Sequence, residues 1–365
     1  MKKIFKLICT LLLIGVIVGL RLINFSFEFL EKKEVKKEEF VGIVRVYDTS
    51  ARTVLGSKFT FINTICEEFS SPFRQLKMEL YEVSDYTPGK VIDSIMLNKS
   101  NVDVIRNDID GTSISRDAVI RNEALTSSFN MQYKDFIHND YGDRLIIDMY
   151  YNIGLVIYNM DLISSLEIED ELPSSKEEFF ALLEKIKVQN DKRSRRNKIN
   201  VLDYDRENSN RTAPFLIGNS DESYTEKLAT YLPKEERSIL DVNSDFFLGE
   251  TAIFFGDLDY VNTLMRNEKK EDSFLYKYTN YPTDEEFVYV SEIASYAFIS
   301  SSEKKNKLLE DFASYMMSES ALKYTENLGK LPCQKNINLK YEMYPHLIKL
   351  SNQDIKHYTY RDVLQ

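Results

Sequence analysis

The residues best suited to contact a ligand stand where two apolar segments near the start of the chain give way to polar side chains. Residues 41–47 (VGIVRVY) lead into Asp48, and residues 102–105 (VDVI) lead into Asn107 and Asp108. Both segments have the composition of β-strands. In open α/β sheets, ligands bind outside the carboxyl ends of the strands. We therefore expect Tyr47, Asp48, Asn107 and Asp108 to line a binding site.

The elements around these residues alternate between strand and helix. A helix face of Phe59, Ile62, Ile65, Cys66 and Phe69 follows the first strand, and a second strand starts at Leu76. Another helix opens at Pro88 before the strand at 102–105. This order is typical of a doubly wound, mostly parallel sheet.

The motifs of common enzymes are missing. The sequence contains no GxGxxG or GxxxxGK[ST] phosphate-binding loop, no GxSxG elbow and no HExxH zinc motif. His138, His346 and His357 are far apart, and each is better explained as a surface or hydrogen-bonded histidine than as a catalytic one. Among 58 acidic residues, no spacing selects a catalytic pair. We therefore predict no enzymatic activity, no cofactor and no metal site.

Length and charge narrow the class of protein further. A chain of 365 residues exceeds one ordinary core, which predicts two lobes. The formal net charge of −11 argues against a nucleic-acid-binding protein, because such proteins need a basic surface to neutralise phosphates. The basic run at 192–196 is interpreted as a solvated loop.

The N-terminus has the pattern of an export signal. Three lysines among the first six residues precede an apolar run from Leu7 to Leu20. Apolar side chains continue after Arg21, and no Ala-x-Ala cleavage site is visible. Cleavage and retention as a membrane anchor both remain open. Cys9 lies at the start of the apolar run and not after it, so it does not fit a lipoprotein cleavage site.

The two other cysteines are Cys66 and Cys333. A disulfide between them is conceivable in an oxidising compartment, but buried free thiols are favoured. The spacing of the three cysteines matches no metal site.

Three further segments each have a recognisable order of strands, helices and breaks. The first, 146–187, reads as a strand, a break at Asn159, and a helix capped by Ser175 with Glu178 three residues later. The second, 246–266, reads as helix, Gly249, the strand Thr251 to Phe255, and a helix after Gly256 and Asp257. The third, 288–332, ends in two helices, Gly329 and a Leu-Pro pair.

Together these segments resemble the bacterial extracellular solute-binding proteins of the sugar-binding type, family 1. The resemblance implies an α/β, two-lobed periplasmic-binding-protein-like (type II) fold, each lobe a doubly wound, mostly parallel sheet. The implied division is a signal peptide or signal-anchor at 1–30, a charged tether at 31–40, lobe 1 at 41–148, lobe 2 at 149–295, and the return into lobe 1 at 296–365.

The resemblance also implies a function. A protein of this kind captures a small ligand, with a saccharide favoured, and delivers it to the permease subunits of an ABC importer by hinge closure. It would act as an extracytoplasmic monomer, at the cell surface or held at the membrane by its N-terminal segment, without nucleic acid. A membrane-tethered sensor or adaptor with the same fold is the alternative.

The candidate ligand contacts combine aromatic faces with hydrogen-bond acceptors. Core packing is the alternative role for each tyrosine, and a helix cap or solvated turn is the alternative for each acid. The candidates are Tyr47, Asp48, Asn107, Asp108, Tyr150, Tyr151, Asp257, Tyr260 and Glu292.

We predict that residues before about Lys37 are dispensable for folding, because the apolar run and the charged tether contribute nothing to a packed core. A protein that starts at Glu38 should give the same cooperative unfolding transition as full-length protein in detergent. Aggregation of the shorter protein alone would contradict this.

Overall fold

A computed structural model describes residues 40–48, 61–82, 102–106, 116–129, 142–168, 171–204, 223–233, 242, 245–268, 273–282, 287–334, 337, 339–340, 347 and 356–359. By its internal contacts the chain divides into a small unit, residues 1–42 and 73–76, and a large unit, residues 43–72 and 77–365. In the small unit, the Gly42 amide donates a hydrogen bond to the Gln75 carbonyl at 3.2 Å. The large unit holds nearly all of the described elements.

Strands and helices alternate along most of the described chain. The strands are β1 (Gly42–Asp48), β2 (Leu76–Glu82), β3 (Val104–Arg106), β4 (Ile146–Asn159), β5 (Asn200–Tyr204), β6 (Thr251–Asp257), β7 (Tyr276–Thr279), β8 (Phe287–Phe298), β9 (Leu331–Pro332) and β10 (Lys356–Thr359). The helices are α1 (Phe61–Ser70), α2 (Glu123–Ser128), α3 (Met160–Ser165), α4 (Lys176–Asp191), α5 (Ser223–Ala229), α6 (Leu258–Asn267), α7 (Glu303–Met316), α8 (Glu319–Leu322) and α9 (Tyr324–Leu328).

The described strands form one mixed sheet. Its order is β2-β1-β3-β8-β4-β6-β5, with β10 also paired to β8, and β7 and β9 paired to β4. The pairs β1–β3 and β5–β6 are parallel, as the alternating sequence pattern predicts. The long strands β4 and β8 run antiparallel to each other, because the chain passes through the sheet along β4 and returns along β8.

Strand β4 changes partners halfway along its length. Its first half, from Ile146 to Ile153, pairs with β8, whereas Gly154 to Tyr158 pair with β6. The irregular register between Asn152 and Ile153 lies at this change. The sequence places a crossing into a second lobe at 148–149, close to this point, and the exact lobe boundaries remain a prediction.

Strand β4 is buried along all of its length. Its second half packs within an apolar cluster to which helix α4 contributes Phe179, Leu183 and Ile186. Strands buried on both faces are expected to be apolar almost continuously, as the run from Leu155 to Tyr158 is. The other half of the sheet packs against α1 and α7. Phe61 of α1 lies 5.3 Å from Tyr150 of β4, and Phe312 of α7 lies 6.2 Å from Phe298 of β8.

Helix α4 begins where the sequence predicts. The Ser175 hydroxyl accepts a hydrogen bond from the Glu178 amide at 3.2 Å. The Glu178 carboxylate accepts a bond from the Ser174 amide at 2.8 Å, so the reciprocal half of the cap reaches Ser174. Such caps satisfy amide groups that have no partner inside the helix.

Cys66 and Cys333 are both buried and free, which agrees with the favoured prediction and excludes the disulfide. Burial raises the pKa of each thiol above its ordinary value. Cys9 lies outside the described residues, together with the predicted signal or anchor, most of the tether and the helix expected at Pro88. The described part of the chain includes no helix with the length and apolar character needed to cross a membrane.

We predict that Gly154→Ala destabilises the protein by about 1–3 kcal/mol, the range typical of an overpacked core. A Cβ atom at Gly154 would lie 2.5 Å from Tyr289 Cδ1 and 3.1 Å from Tyr281 Cε2. Urea unfolding measures the effect. Tyr289→Leu in the same chain should make room and recover part of the loss, and an additive double variant would show that this close contact is not the cause.

Candidate functional site

The candidate site begins at the carboxyl ends of β1 and β3. Side chains of β1 alternate, so Val44, Val46 and Asp48 share its buried face. Arg106 is the last residue of the neighbouring parallel strand β3 and is equally buried. Arg106 Nη1 lies 3.4 Å from Asp48 Oδ1, so the carboxylate partly neutralises the guanidinium group. A buried guanidinium group needs such partners because its loss of hydration is costly.

Strand β8 adds two side chains from the same face. Glu292 and Tyr296 are four residues apart on the strand, which places them on one side of the sheet. The Tyr296 hydroxyl donates a hydrogen bond to Asp48 Oδ2 at 3.3 Å, and Arg106 Nη2 donates one to Glu292 Oε1. Arg106 thus joins an acid of β1 to an acid of β8.

Helix α6 brings two further carboxylates. Asp257 caps the helix, and its Oδ1 accepts a hydrogen bond from the Asp259 amide at 2.9 Å. Strand β6 continues through Gly256 to Asp257, and the helix starts at the next residue, after Gly256 and Asp257 as the sequence predicts. Asp259 Oδ2 lies 2.7 Å from Lys330 Nζ, and this nitrogen is 3.8 Å from Glu292 Oε2.

These contacts form one charged cluster, which we call the acid–base cluster. It is a chain of neighbouring ion pairs that runs from β1 to the start of α6, and two of its carboxylates, Asp259 and Glu292, remain partly exposed. They can accept hydrogen bonds from a ligand. The members of the cluster are Asp48, Arg106, Asp257, Asp259, Glu292, Tyr296 and Lys330.

Burial and the charges within the cluster shift the pKa values of Asp259 and Lys330. Burial raises the pKa of Asp259 to about 6; Asp257 and Glu292 add to this, and Lys330 opposes it. Burial alone would lower the pKa of Lys330, but the carboxylates of Asp259, Glu292 and Asp257 raise it above its ordinary value. Since folded Asp259 binds its proton more tightly than an unfolded aspartate, its contribution to stability declines as the pH rises from about 4 to about 6.

The predicted acids and tyrosines are placed differently. Asp48, Asp257 and Glu292 come together in the acid–base cluster, whereas Tyr47 faces the other side of β1, where its ring stacks on Tyr81 at 4.8 Å. Asn107 and Asp108 lie outside the described residues.

The remaining predicted tyrosines are buried. Tyr150 packs edge-on against Phe61 at 5.3 Å, and Tyr151 is 1% exposed. The Tyr260 ring lies 4.9 Å from Phe254 and stacks on Phe247 at 5.8 Å. Packing is thus an observed role of each ring, and ligand contact remains a prediction for all of them.

Sequence reasoning missed Arg106, Asp259, Tyr296 and Lys330 as members of the site. Arg106 directly precedes the predicted contacts Asn107 and Asp108. A basic residue at a strand end, beside predicted polar contacts, could therefore have been selected from the sequence. Lys330 carries no comparable signal, because it lies 71 residues from Asp259 and 38 from Glu292.

We predict that Arg106→Met destabilises the protein by about 3 kcal/mol, because it leaves Asp48 buried without its cation. Urea unfolding at pH 7 measures this. Lys198→Met is the matched control, since its pair with Asp191 is exposed and should contribute little to stability. Equal losses in the two variants would show that the buried pair contributes no more to stability than the exposed pair.

Several proteins of known structure share the fold of this chain. No protein-family model and no curated protein matches the sequence. A binding protein of Bacillus subtilis in an open conformation has a TM-score of 0.65 at 13% identity, over 89% of this chain and 88% of that chain. Maltose-bound MalE3 of T. maritima has a TM-score of 0.63 at 12% identity, over 87% and 88%.

A third structure is a binding protein of an ABC transporter from Bifidobacterium animalis in complex with mannobiose. Its TM-score is 0.59 at 14% identity, over 90% of this chain and 83% of that chain. Such similarity over nearly the whole chain confirms the predicted two-lobed α/β fold. This protein has the α/β, two-lobed periplasmic-binding-protein-like (type II) fold.

Proposed function

We propose that this protein is an extracytoplasmic solute-binding protein that captures a small ligand, with a saccharide favoured, and delivers it to an ABC importer. The observation that carries this proposal is the fold, which the chain shares over 83–90% of both chains with proteins solved with maltose or mannobiose. The acid–base cluster supports it, because Asp259 and Glu292 offer oxygen acceptors that sugar hydroxyl groups require.

The proposed mechanism is hinge closure around the ligand. The chain passes between the two halves of the sheet along β4 and returns along β8, so a rotation of one half against the other must bend these two strands. The irregular register at Asn152 is a natural place for the bend, because ladder hydrogen bonds are interrupted there. Closure follows only if the ligand contacts favour the closed state.

The proposal is for a binding protein and not an enzyme, without cofactor or metal. Its partners would be the ligand and the permease subunits of the importer, and the protein would act as a monomer. The proposed location is outside the cytoplasmic membrane, with the N-terminal apolar segment either removed as a signal or retained as an anchor.

A membrane-tethered sensor or adaptor is the second candidate. The N-terminal sequence favours it in one respect: the apolar run is followed by neither an Ala-x-Ala site nor a lipoprotein cysteine. N-terminal sequencing of the exported protein separates removal from retention. Ligand-dependent ATP hydrolysis by a reconstituted importer would support transport over sensing.

We predict that a saccharide raises the melting temperature and makes the protein more compact. A ligand that binds only the folded state stabilises it by about 2.7 kcal/mol at a hundredfold excess over its dissociation constant. The measurement is a thermal-shift screen of the chain from Glu38 against neutral oligosaccharides, polyamines, amino acids and anions, followed by X-ray scattering with the best ligand.

Two outcomes would contradict the proposal. A tight polyamine or amino-acid ligand with no response to oligosaccharides would replace the favoured ligand class. A tight ligand that leaves the radius of gyration unchanged would argue against hinge closure. Glu226→Gln removes one exposed negative charge from α5 and is the control for nonspecific binding of charged ligands.

A further inference from the structure

Lys330 occupies an unusual position behind the partly exposed acids of the candidate site. Its side chain is only 6% exposed, whereas those of Asp259 and Glu292 are 28% and 37% exposed. The ammonium group lies 2.7 Å from one carboxylate and 3.8 Å from the other. A ligand approaching from solvent would therefore meet the two acids before it met the lysine.

The backbone around Lys330 is firmly held. Gly329 ends α9 in the left-handed conformation, with φ of 67°, and its carbonyl accepts a hydrogen bond from Asn262 Nδ2 at 3.0 Å. The Lys330 amide donates to the Thr325 carbonyl at 3.1 Å, and the next residue, Leu331, pairs with β4. The start of the lysine side chain is thus fixed between α6 and the sheet.

The two acids reach this point from separate elements. Asp259 is in the first turn of α6, and Glu292 is in the middle of β8, where Arg106 also binds it. Asp257 adds a third negative group next to Asp259. Carboxylates this close repel one another, and without a cation one of them takes up a proton or turns away.

We propose that Lys330 is a positioning residue of the candidate site, and that it holds the carboxylate of Asp259 ionised and keeps it and the carboxylate of Glu292 directed to one point where they accept hydrogen bonds from ligand hydroxyl groups. This inference rests on the proposed function for the identity of the ligand, but the positioning itself is independent of it. Lys330 need not touch the ligand to determine its affinity.

The first test measures stability against pH. Lys330→Met keeps most of the apolar side chain and removes the charge, and urea unfolding of the full-length protein in detergent is followed between pH 5 and pH 8. Near pH 5, Asp259 carries its proton in both proteins, because its pKa is raised to about 6. The variant should therefore differ little from the unchanged protein there.

The difference should grow as the pH rises. At pH 8 the unchanged protein holds an ionised Asp259 against Lys330, whereas the variant has lost the cation while burial, Asp257 and Glu292 still oppose ionisation. We expect the urea midpoint of the variant to fall further below that of the unchanged protein at pH 8 than at pH 5. Lys330→Arg keeps the charge and should follow the unchanged protein.

Lys198→Met is the matched control. It removes a lysine from Asp191, whose pKa is lowered, so that Asp191 stays ionised throughout this pH range. Its effect on the midpoint should not change with pH. If the effect of Lys330→Met on the urea midpoint also shows no pH dependence, the positioning proposal is overturned. If Lys330→Met does not fold, the same pH series is measured on Asp259→Asn, and a midpoint that changes with pH as in the unchanged protein overturns the proposal.

The second test measures binding. Calorimetry with maltose and with mannobiose at pH 7.5 should give at least about tenfold weaker affinity for Lys330→Met, the loss expected for one well-placed hydrogen bond to a charged group. Unchanged affinity of a sugar that binds the unchanged protein would overturn the proposal. If neither sugar binds the unchanged protein, the favoured ligand class loses support, and the pH dependence alone still decides whether Lys330 holds the carboxylates.

Discussion

The backbone of β4 is buried along all fourteen of its residues, and buried amide and carbonyl groups must find partners within the protein. The strand meets this requirement with β8 and β9 along its first half and with β6 and β7 along its second half. One strand therefore fixes the register of both halves of the sheet. The carboxyl end of β6 and the middle of β8 are brought near each other as a result, and Asp257 and Glu292 of the candidate site lie at those positions.

The acid–base cluster uses this arrangement to enclose charge. Arg106 and Lys330 are nearly inaccessible, and each is neutralised by acids that come from other elements. Ion pairs of this kind add little to stability compared with apolar packing, but removal of one partner leaves a charge in an unfavourable environment. The cluster is thus better suited to fix the relative positions of β1, β3, β8 and α6 than to stabilise any one of them.

The sequence predicts the local features of the fold well. The capped start of α4 and the end of α9 at Gly329 both depend on neighbouring residues, and such patterns are visible in a single chain. Asp48 and Asp257 could be selected because strand ends are recognisable and ligands bind near them. The mixed pairing of the sheet could not be predicted, since it depends on how far β4 and β8 extend past each other.

The residues of the candidate site could likewise be predicted only in part, because they meet through long-range contacts. Arg106 meets Glu292 across 186 residues of chain, and no local pattern joins them. Tyr260 is predicted as a ligand platform because it follows a strand, yet its ring is surrounded by Phe246, Phe247 and Phe254. Whether an aromatic side chain of a helix turns to solvent or to its own strand is decided by tertiary packing, and composition alone does not encode it.

The burial of Cys333 has a consequence for how opening of this fold can be observed. Its amide is bonded to the Met149 carbonyl at 3.0 Å, directly after β9 joins β4, and its thiol is held in the protonated, unreactive form. Thiol reagents attack only the accessible thiolate. Reaction at this cysteine must therefore await separation of β9 from β4, and its rate would report how often the returning chain detaches from the central strand.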